Sequence, residues 1–203
     1  MLTKTILESQ LIKLEPMTLA HLNDFYFAGK SPKVWQHMPT NRCQDKATAQ
    51  AWMQIAINEM SQGQQLAFIT RDKVSNTVVG STRLFRLNQQ DKTIEIGHTF
   101  ITPSYQRSYV NSHAKFLMLQ YAFEVLGMVR VEICTHENNQ QSRNAIIRIG
   151  GTFEGILRKH RRSPCGYSRN TAIFSIIDDE WPKIKAHLLK SGKSEEEFCY
   201  VSS

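Results

Sequence analysis

The chain has 203 residues, with 25 lysines and arginines against 18 aspartates and glutamates and a formal charge of +7. That length buries one good core and is short for two. No run of about eighteen apolar residues occurs, and residues 1–10 lack the charged, apolar and small-residue blocks of a secretory leader, so a soluble cytoplasmic protein with no membrane partner is expected. The cysteines, Cys43, Cys134, Cys165 and Cys199, are scattered without C-x-x-C spacing or a nearby histidine cluster. Reduced thiols are expected there, with neither a disulfide framework nor a metal site. The positive field attracts polyanions, which admits a nucleotide cofactor, a ribosomal particle or nucleic acid.

Residues 9–14 alternate weakly and read as a strand, after which Pro16 and Thr18 introduce a helix over 19–29. A loop with Pro32, Trp35 and Pro39 follows, then a second helix over 47–60 in which Ala51, Trp52, Ile55 and Met60 recur at near-helical spacing. Three strand-like runs come next, at 65–70, 77–87 and 93–102, separated by turn-rich segments at 72–76 and 88–91. This is an antiparallel meander. After Pro103 the period changes: Ala114, Leu117, Met118, Tyr121, Ala122 and Val125 share one helical face that stops at Gly127. A strand at 129–135, a short helix at 142–149 stopped by Gly150 and Gly151, strands at 152–160 and 167–177, and a helix at 181–189 complete the order. We expect one domain over residues 1–190 and a C-terminal tail over 191–203. The strand, turn, helix and parallel return strand in the middle form a unit suited to a nucleotide.

Five blocks then occur in a fixed order: E-I-G-H-T-F-I-T-P-S-Y-Q-R-S-Y-V-N-S-H-A-K from Glu95, Y-A-F-E-V-L-G-M-V-R-V-E from Tyr121, N-x-x-S from Asn139 to Ser142, I-G-G-T-F-E-G-I-L-R from Ile149, and D-D-E-W ending at Trp181. In these blocks the chain resembles the GNAT acetyltransferases, and within them the Rim-type branch that acetylates ribosomal-protein N-termini. The resemblance covers nearly the whole chain. It implies an α/β GNAT fold: a mixed, mostly antiparallel seven-stranded sheet with a central β-loop-α-β unit and helices on both faces. It also implies acetyl-CoA as co-substrate and a primary amine as acceptor.

The family's pyrophosphate loop, Q/R-x-x-G-x-G/A, aligns with Gln106, Arg107, Ser108, Tyr109, Val110, Asn111 and the following Ser112. Gln106 fits, whereas Tyr109 and Asn111 stand at the two glycine positions. Glycine suits such a loop because backbone N–H groups approach phosphate closely, sometimes at positive φ. Asn111 is expected to adopt that geometry and Tyr109 to swing its side chain away. The dipole of the following helix favours an anion, with Arg107 and Lys115 adding positive charge.

The resemblance further places the backbones of Thr99 and Ile101 along the pantetheine arm, the Thr99 N–H polarising the acetyl carbonyl. Glu95 resembles the family's strand carboxylate that serves as general base. Its spacing of four from Thr99 puts both side chains on one face of the strand, and His98, an alternative base, on the other. Ser142 resembles the serine that protonates the leaving thiolate, and Asn139 the asparagine that contacts the pantetheine arm. Other branches carry a tyrosine acid on this helix, where Ile146 and Ile147 cannot donate. Ser142 is also a natural helix N-cap.

Trp35, Trp52 and Phe27 fall in the region that lines the acceptor side of this fold, although aromatics at helical spacing also serve as core. Arg158 to Arg162 is the densest basic run, either a solvated face or a docking patch for an acidic or nucleoprotein particle. No aromatic interleaving accompanies it, so sequence-specific nucleic-acid binding is not expected. The favoured acceptor is a protein N-terminus. A small amine is a second reading, with a polyamine disfavoured by the basic charge, and a non-catalytic CoA-binding module is a third.

Overall fold

The computed structural model describes residues 1–162 and 166–191. Three consecutive β-rich runs, β3 (Gln65–Asp72), β4 (Thr77–Asn88) and β5 (Thr93–Ile101), form the meander expected from their alternation and turns. Two strands precede them, β1 (Leu7–Glu8) and β2 (Ile12–Pro16). Three follow, β6 (Arg130–His136), β7 (Thr152–Arg162) and β8 (Ser168–Ile177). They make one eight-stranded sheet in the order β1-β2-β3-β4-β5-β6-β8-β7, in which only β5 and β6 pair in parallel. The strand beyond the seven expected is the two-residue β1, too short to show a period, which pairs Leu7 with Leu14.

Helices cover both faces. α1 (Leu22–Ala28) and α2 (Lys46–Ser61) pack together over β3 and β4. α3 (Tyr109–Gln120) and α5 (Trp181–Ser191) cover the opposite face, and α4 (Gln140–Arg148) lies against β6. Because β3 is covered on both sides, nearly all of it is buried instead of alternating. In α2 the buried stripe is Ala49, Trp52, Met53, Ala56 and Met60, spaced by three and four, while Ala51 and Ile55 face solvent. Asp45 caps this helix, its Oδ1 accepting from the Thr48 amide at 2.7 Å. Phe25 of α1 stacks on Trp52 and meets Phe100 of β5 edge-on, both at 5.4 Å between ring centroids.

α3 is wrapped on two sides, by the sheet and by α5, whose Trp181 meets Phe116 and Phe123 at 6.0 and 5.5 Å. Val110 and every residue from His113 to Leu119 are therefore buried, so the single apolar stripe read from sequence understates the packing. Beyond Gln120 the helix widens into a π-turn over Tyr121–Val125, closed by a bond from Leu126 N–H to Tyr121 C=O at 3.0 Å. The expected tail, residues 191–203, lies outside the described residues apart from Ser191, as do Cys165 and Cys199. Among the described residues no helix is long and apolar enough to cross a membrane.

Candidate functional site

β5 is the strand on which the site depends, and it is not regular. Its pairing with β4 shifts between Arg83↔Gly97 and Ser81↔Phe100, so two residues, His98 and Thr99, stand opposite one, Thr82. His98 sits at φ 50°, the left-handed first position of a bulge. Histidine tolerates that region better than most residues. The neighbouring Gly97 is required, since a Cβ there would lie 2.9 Å from the Phe85 ring.

The bulge reverses the side-chain alternation. Glu95 is paired with Phe85, whose ring lies 5.0 Å from His98, and His98 lies 6.2 Å from Trp52 of α2. Thr99 points the other way, where its Oγ1 meets Thr82 Oγ1 at 2.8 Å and accepts from Lys115 Nζ of α3 at 2.9 Å. This corrects the even-spacing argument: Glu95 and Thr99 occupy opposite faces, and His98 shares the α1–α2 face with Glu95. The extra residue at the bulge is the cause.

The same bulge ends the parallel ladder. β5 and β6 pair from Thr93↔Arg130 to Ile96↔Ile133 and then part, leaving a gap between 97–101 and 134–136. Thr102 N–H donates to Val79 C=O on the β4 side at 2.8 Å. Alternation therefore turns the N–H and C=O groups of Ile101 and Thr99 toward the gap. Consistent with this, Ile101 C=O accepts from Gln106 Nε2 at 3.1 Å. An extended chain rich in amides fits such an edge as an added strand would.

The gap ends at the loop before α3. Ser108 is the N-cap, its Oγ accepting from the Val110 amide at 3.3 Å and donating to Tyr105 C=O at 2.6 Å. The remaining first-turn amides and the helix dipole give this end a preference for anions. Tyr109 swings away as expected, its hydroxyl donating to Asp72 Oδ1 at 2.6 Å. The expected role of Asn111 does not hold. It is the third residue of α3, and the positive φ of this loop, 62°, belongs to Arg107. A non-glycine residue held there costs about 1–2 kcal/mol. Arg107→Gly is expected to keep or raise the melting temperature and Arg107→Val to lower it by roughly 2–6 °C, at about 2–4 °C per kcal/mol for this chain length. Equal melting temperatures for the two variants would show that residue 107 is not held in the left-handed region.

α4 closes the far side. Its N-cap is Asn139, whose Oδ1 accepts from the Ser142 amide at 3.0 Å, so Ser142 is a first-turn residue and not the cap. Ser142 is half-buried and its hydroxyl has no partner among the described residues. Gln141 Nε2 donates to Gln106 Oε1 at 3.2 Å, tying α4 to the loop before α3. Thr99 and Ile101 thus lie on the β5 edge of the gap, the loop from Gln106 leads from it into α3, and α4, which carries Ser142 behind its cap Asn139, is joined to that loop through Gln141, while Glu95 stands across the sheet.

On that other face a cavity of about 70 Å³ is lined by Trp35, Met38, Pro39, Thr40, Arg42, Trp52 and His98. Trp35 and Trp52 are therefore both core and cavity wall, whereas Phe27 is 67% exposed. Glu95 is buried and bonded to Arg86 Nη1 at 2.9 Å. Burial raises its carboxyl above the ordinary range, opposed by Arg86 and Arg161. Burial, reinforced by Arg83, Arg42, Arg161 and Arg86, pushes His98 down to about 3. At neutral pH His98 is uncharged and holds a proton too weakly to serve well as a base, which leaves Glu95 the better match.

The burial of two cations was not read from the sequence. Arg83 stacks 3.7 Å from the Trp52 ring centre, and Lys115, expected to strengthen the phosphate end, instead lies buried against Thr99, with its amine lowered to about 7 by burial. The signal for Lys115 was present: residues 115, 118, 119 and 122 form an apolar stripe at helical spacing with a lysine in it.

Comparison with known proteins agrees with this geometry. The family model described as an acetyltransferase (GNAT) domain matches residues 12–152. YdaF of Bacillus subtilis, provisionally named a ribosomal N-acetyltransferase, is 30% identical over 105 residues, covering 52% of this chain and 56% of that protein. A GCN5-related N-acetyltransferase from Brucella melitensis superposes with a TM-score of 0.84 at 29% identity, covering 96% of this chain and 92% of its own. Mycobacterium smegmatis RimJ, solved in complex with CoA-disulfide, shares the fold with a TM-score of 0.79 at 17% identity, covering 96% of this chain and 95% of its own.

Proposed function

Because the chain belongs to the GNAT acetyltransferase family, we propose that it transfers the acetyl group of acetyl-CoA to the α-amine of a protein N-terminus by direct attack in a ternary complex. The observation that carries this reading is the parting of β5 from β6 at the His98 bulge, which turns the backbone of Thr99 and Ile101 into a gap ending at the N-terminus of α3. When bound there, acetyl-CoA supplies a thioester whose C–S bond breaks as the N–C bond forms.

The chain's own groups divide the remaining work. The Thr99 N–H donates to the carbonyl oxygen where negative charge develops. Ile101 and Asn139 border the extended arm, and the backbone from Gln106 to Ser112 receives the pyrophosphate. Glu95, on the acceptor face, takes the amine proton through water, and Ser142 gives its hydroxyl proton to the departing thiolate. No enzyme nucleophile is needed. The name of YdaF supports an acceptor of the ribosomal kind, and we place the reaction in the cytoplasm.

The α-amine is favoured on proton affinity. With a pKa of about 7.7–8.0 against about 10.4 for lysine, roughly a tenth of it is neutral at pH 7, against far less than a thousandth of the ε-amine. The test offers peptides with free or blocked N-termini, each carrying an internal lysine, and maps the acetylated atom by fragmentation. Acetylation confined to the free N-terminus is expected. Modification of lysine alone, or of small amines and no peptide, overturns the assignment.

A further inference from the structure

We propose that Arg42 is an anion-recognition residue of the acceptor cavity and that the preferred acceptor is a polypeptide carrying a carboxylate side chain in its first two residues. The proposal deepens the N-terminal reading above and rests on it for the word polypeptide. Arg42 lines the cavity beside His98, half-buried, and among the described residues its guanidinium has neither a carboxylate nor a hydrogen-bond partner. A guanidinium partly stripped of water with no counter-ion is costly, and an incoming carboxylate relieves that cost with a bidentate fit.

The surroundings add to the attraction. Arg83 lies beneath the Trp52 wall, buried, with Nε and Nη2 unpaired among the described residues. Its Nη1 donates to Gln65 Oε1 at 3.2 Å, and Gln65 Nε2 in turn reaches Glu59 Oε2 at 2.6 Å, so Glu59, the carboxylate that acts on it, is joined to it only through a neutral amide. Arg86 is committed to Glu95, and Arg161 contributes further positive charge at both Glu95 and His98. Among the described residues no carboxylate lines the cavity. A field of this sign repels an ammonium, favours the neutral amine that attacks, and draws in an acceptor that brings its own negative charge. It also disfavours polyamines on local grounds, where net charge alone gave a weaker argument.

The test compares wild type, Arg42→Ala and Arg42→Glu on peptides identical except for aspartate, asparagine or lysine in the first two positions. Free aspartate and its amide serve as small acceptors. Wild type should favour the aspartate peptide over the asparagine peptide by about tenfold or more in kcat/KM, mainly through KM, as expected for one charge-assisted pair. Arg42→Ala should erase that preference and Arg42→Glu should shift it toward lysine. Calorimetric affinity for acetyl-CoA should stay within about twofold throughout, showing that the variants fold and keep the gap across the sheet. A wild type indifferent to aspartate and asparagine, or a preference that survives in Arg42→Ala, overturns the anion site while leaving N-terminal acetylation standing. Arg42-dependent acetylation of free aspartate over its amide with no peptide modified overturns the polypeptide acceptor and keeps the anion site.

Discussion

Replacing Glu95 by glutamine should lower kcat by about two orders of magnitude while acetyl-CoA binding stays within about twofold. A positioned general base is worth about 10²–10⁴-fold, and Glu95 stands across the sheet from the cofactor gap. The pH dependence provides the sharper reading. Only the deprotonated carboxylate can take a proton, and burial moves Glu95 above the ordinary carboxyl range, so wild-type kcat should rise with pH through that raised value and then level. Glu95→Gln should lose this acidic limb and run flat at a low rate. Ser142→Ala in the same assay should keep the limb, because its proton goes to the other end of the reaction, and should lower kcat without weakening acetyl-CoA affinity. A Glu95→Gln variant with wild-type kcat and an unchanged acidic limb would show the carboxylate to be only the structural partner of Arg86.

How far the sequence carried the site depends on which physical rule governed each residue. Strand and helix order and the β5-α3-β6 crossover follow from period, turn residues and caps, which act locally and are written in adjacent residues, whereas a phosphate role for 106–112 rests on the resemblance to the family's motif. The face of Glu95 was not legible in that way. Even spacing holds only for an unbroken strand, and the extra residue at His98 is set by the pairing of β4 with β5, a non-local fact. Likewise the positive φ fell at Arg107 and not Asn111, because Ser108 and not a later residue caps α3. A loop without glycine carries no mark of where its backbone turns left-handed. Nothing local marks Arg42 or Arg83, because Arg83, on β4, is buried by the packing of Trp52 of α2 across it, and Arg158 to Arg162 read as one patch although Arg161 is half-buried and acts on Glu95 and His98 while Arg158 and Lys159 stay exposed.

Lys115→Met should raise the melting temperature at pH 7 by roughly 5–10 °C, the reverse of an ordinary loss from a packed helix. Lys115 is buried, it donates a hydrogen bond to the neutral Thr99 hydroxyl at 2.9 Å, and burial lowers its amine from 10.5 to about 7. In the unfolded chain the amine keeps its proton up to about 10.5, whereas the folded chain releases it above about 7. The unfolded state therefore binds more protons between those values, and stability contributed by this group climbs with pH across the window and is lowest at neutral pH and below. At about 1.4 kcal/mol per tenfold change in proton affinity the penalty at pH 7 approaches 4–5 kcal/mol, against about 1 kcal/mol for the lost hydrogen bond. Thr99 Oγ1 remains bonded to Thr82 Oγ1 at 2.8 Å, so the variant leaves no orphaned hydroxyl. Melting temperatures recorded from pH 6 to pH 10 should show wild type gaining on the variant as pH rises and the gap closing near the top of the range. Turnover should fall about tenfold, because Lys115 holds the side chain of the residue whose N–H faces the gap, and a costly buried amine persists where function needs it. A variant that melts lower than wild type at every pH would show that Lys115 is charged in the fold and stabilised by groups this geometry does not account for.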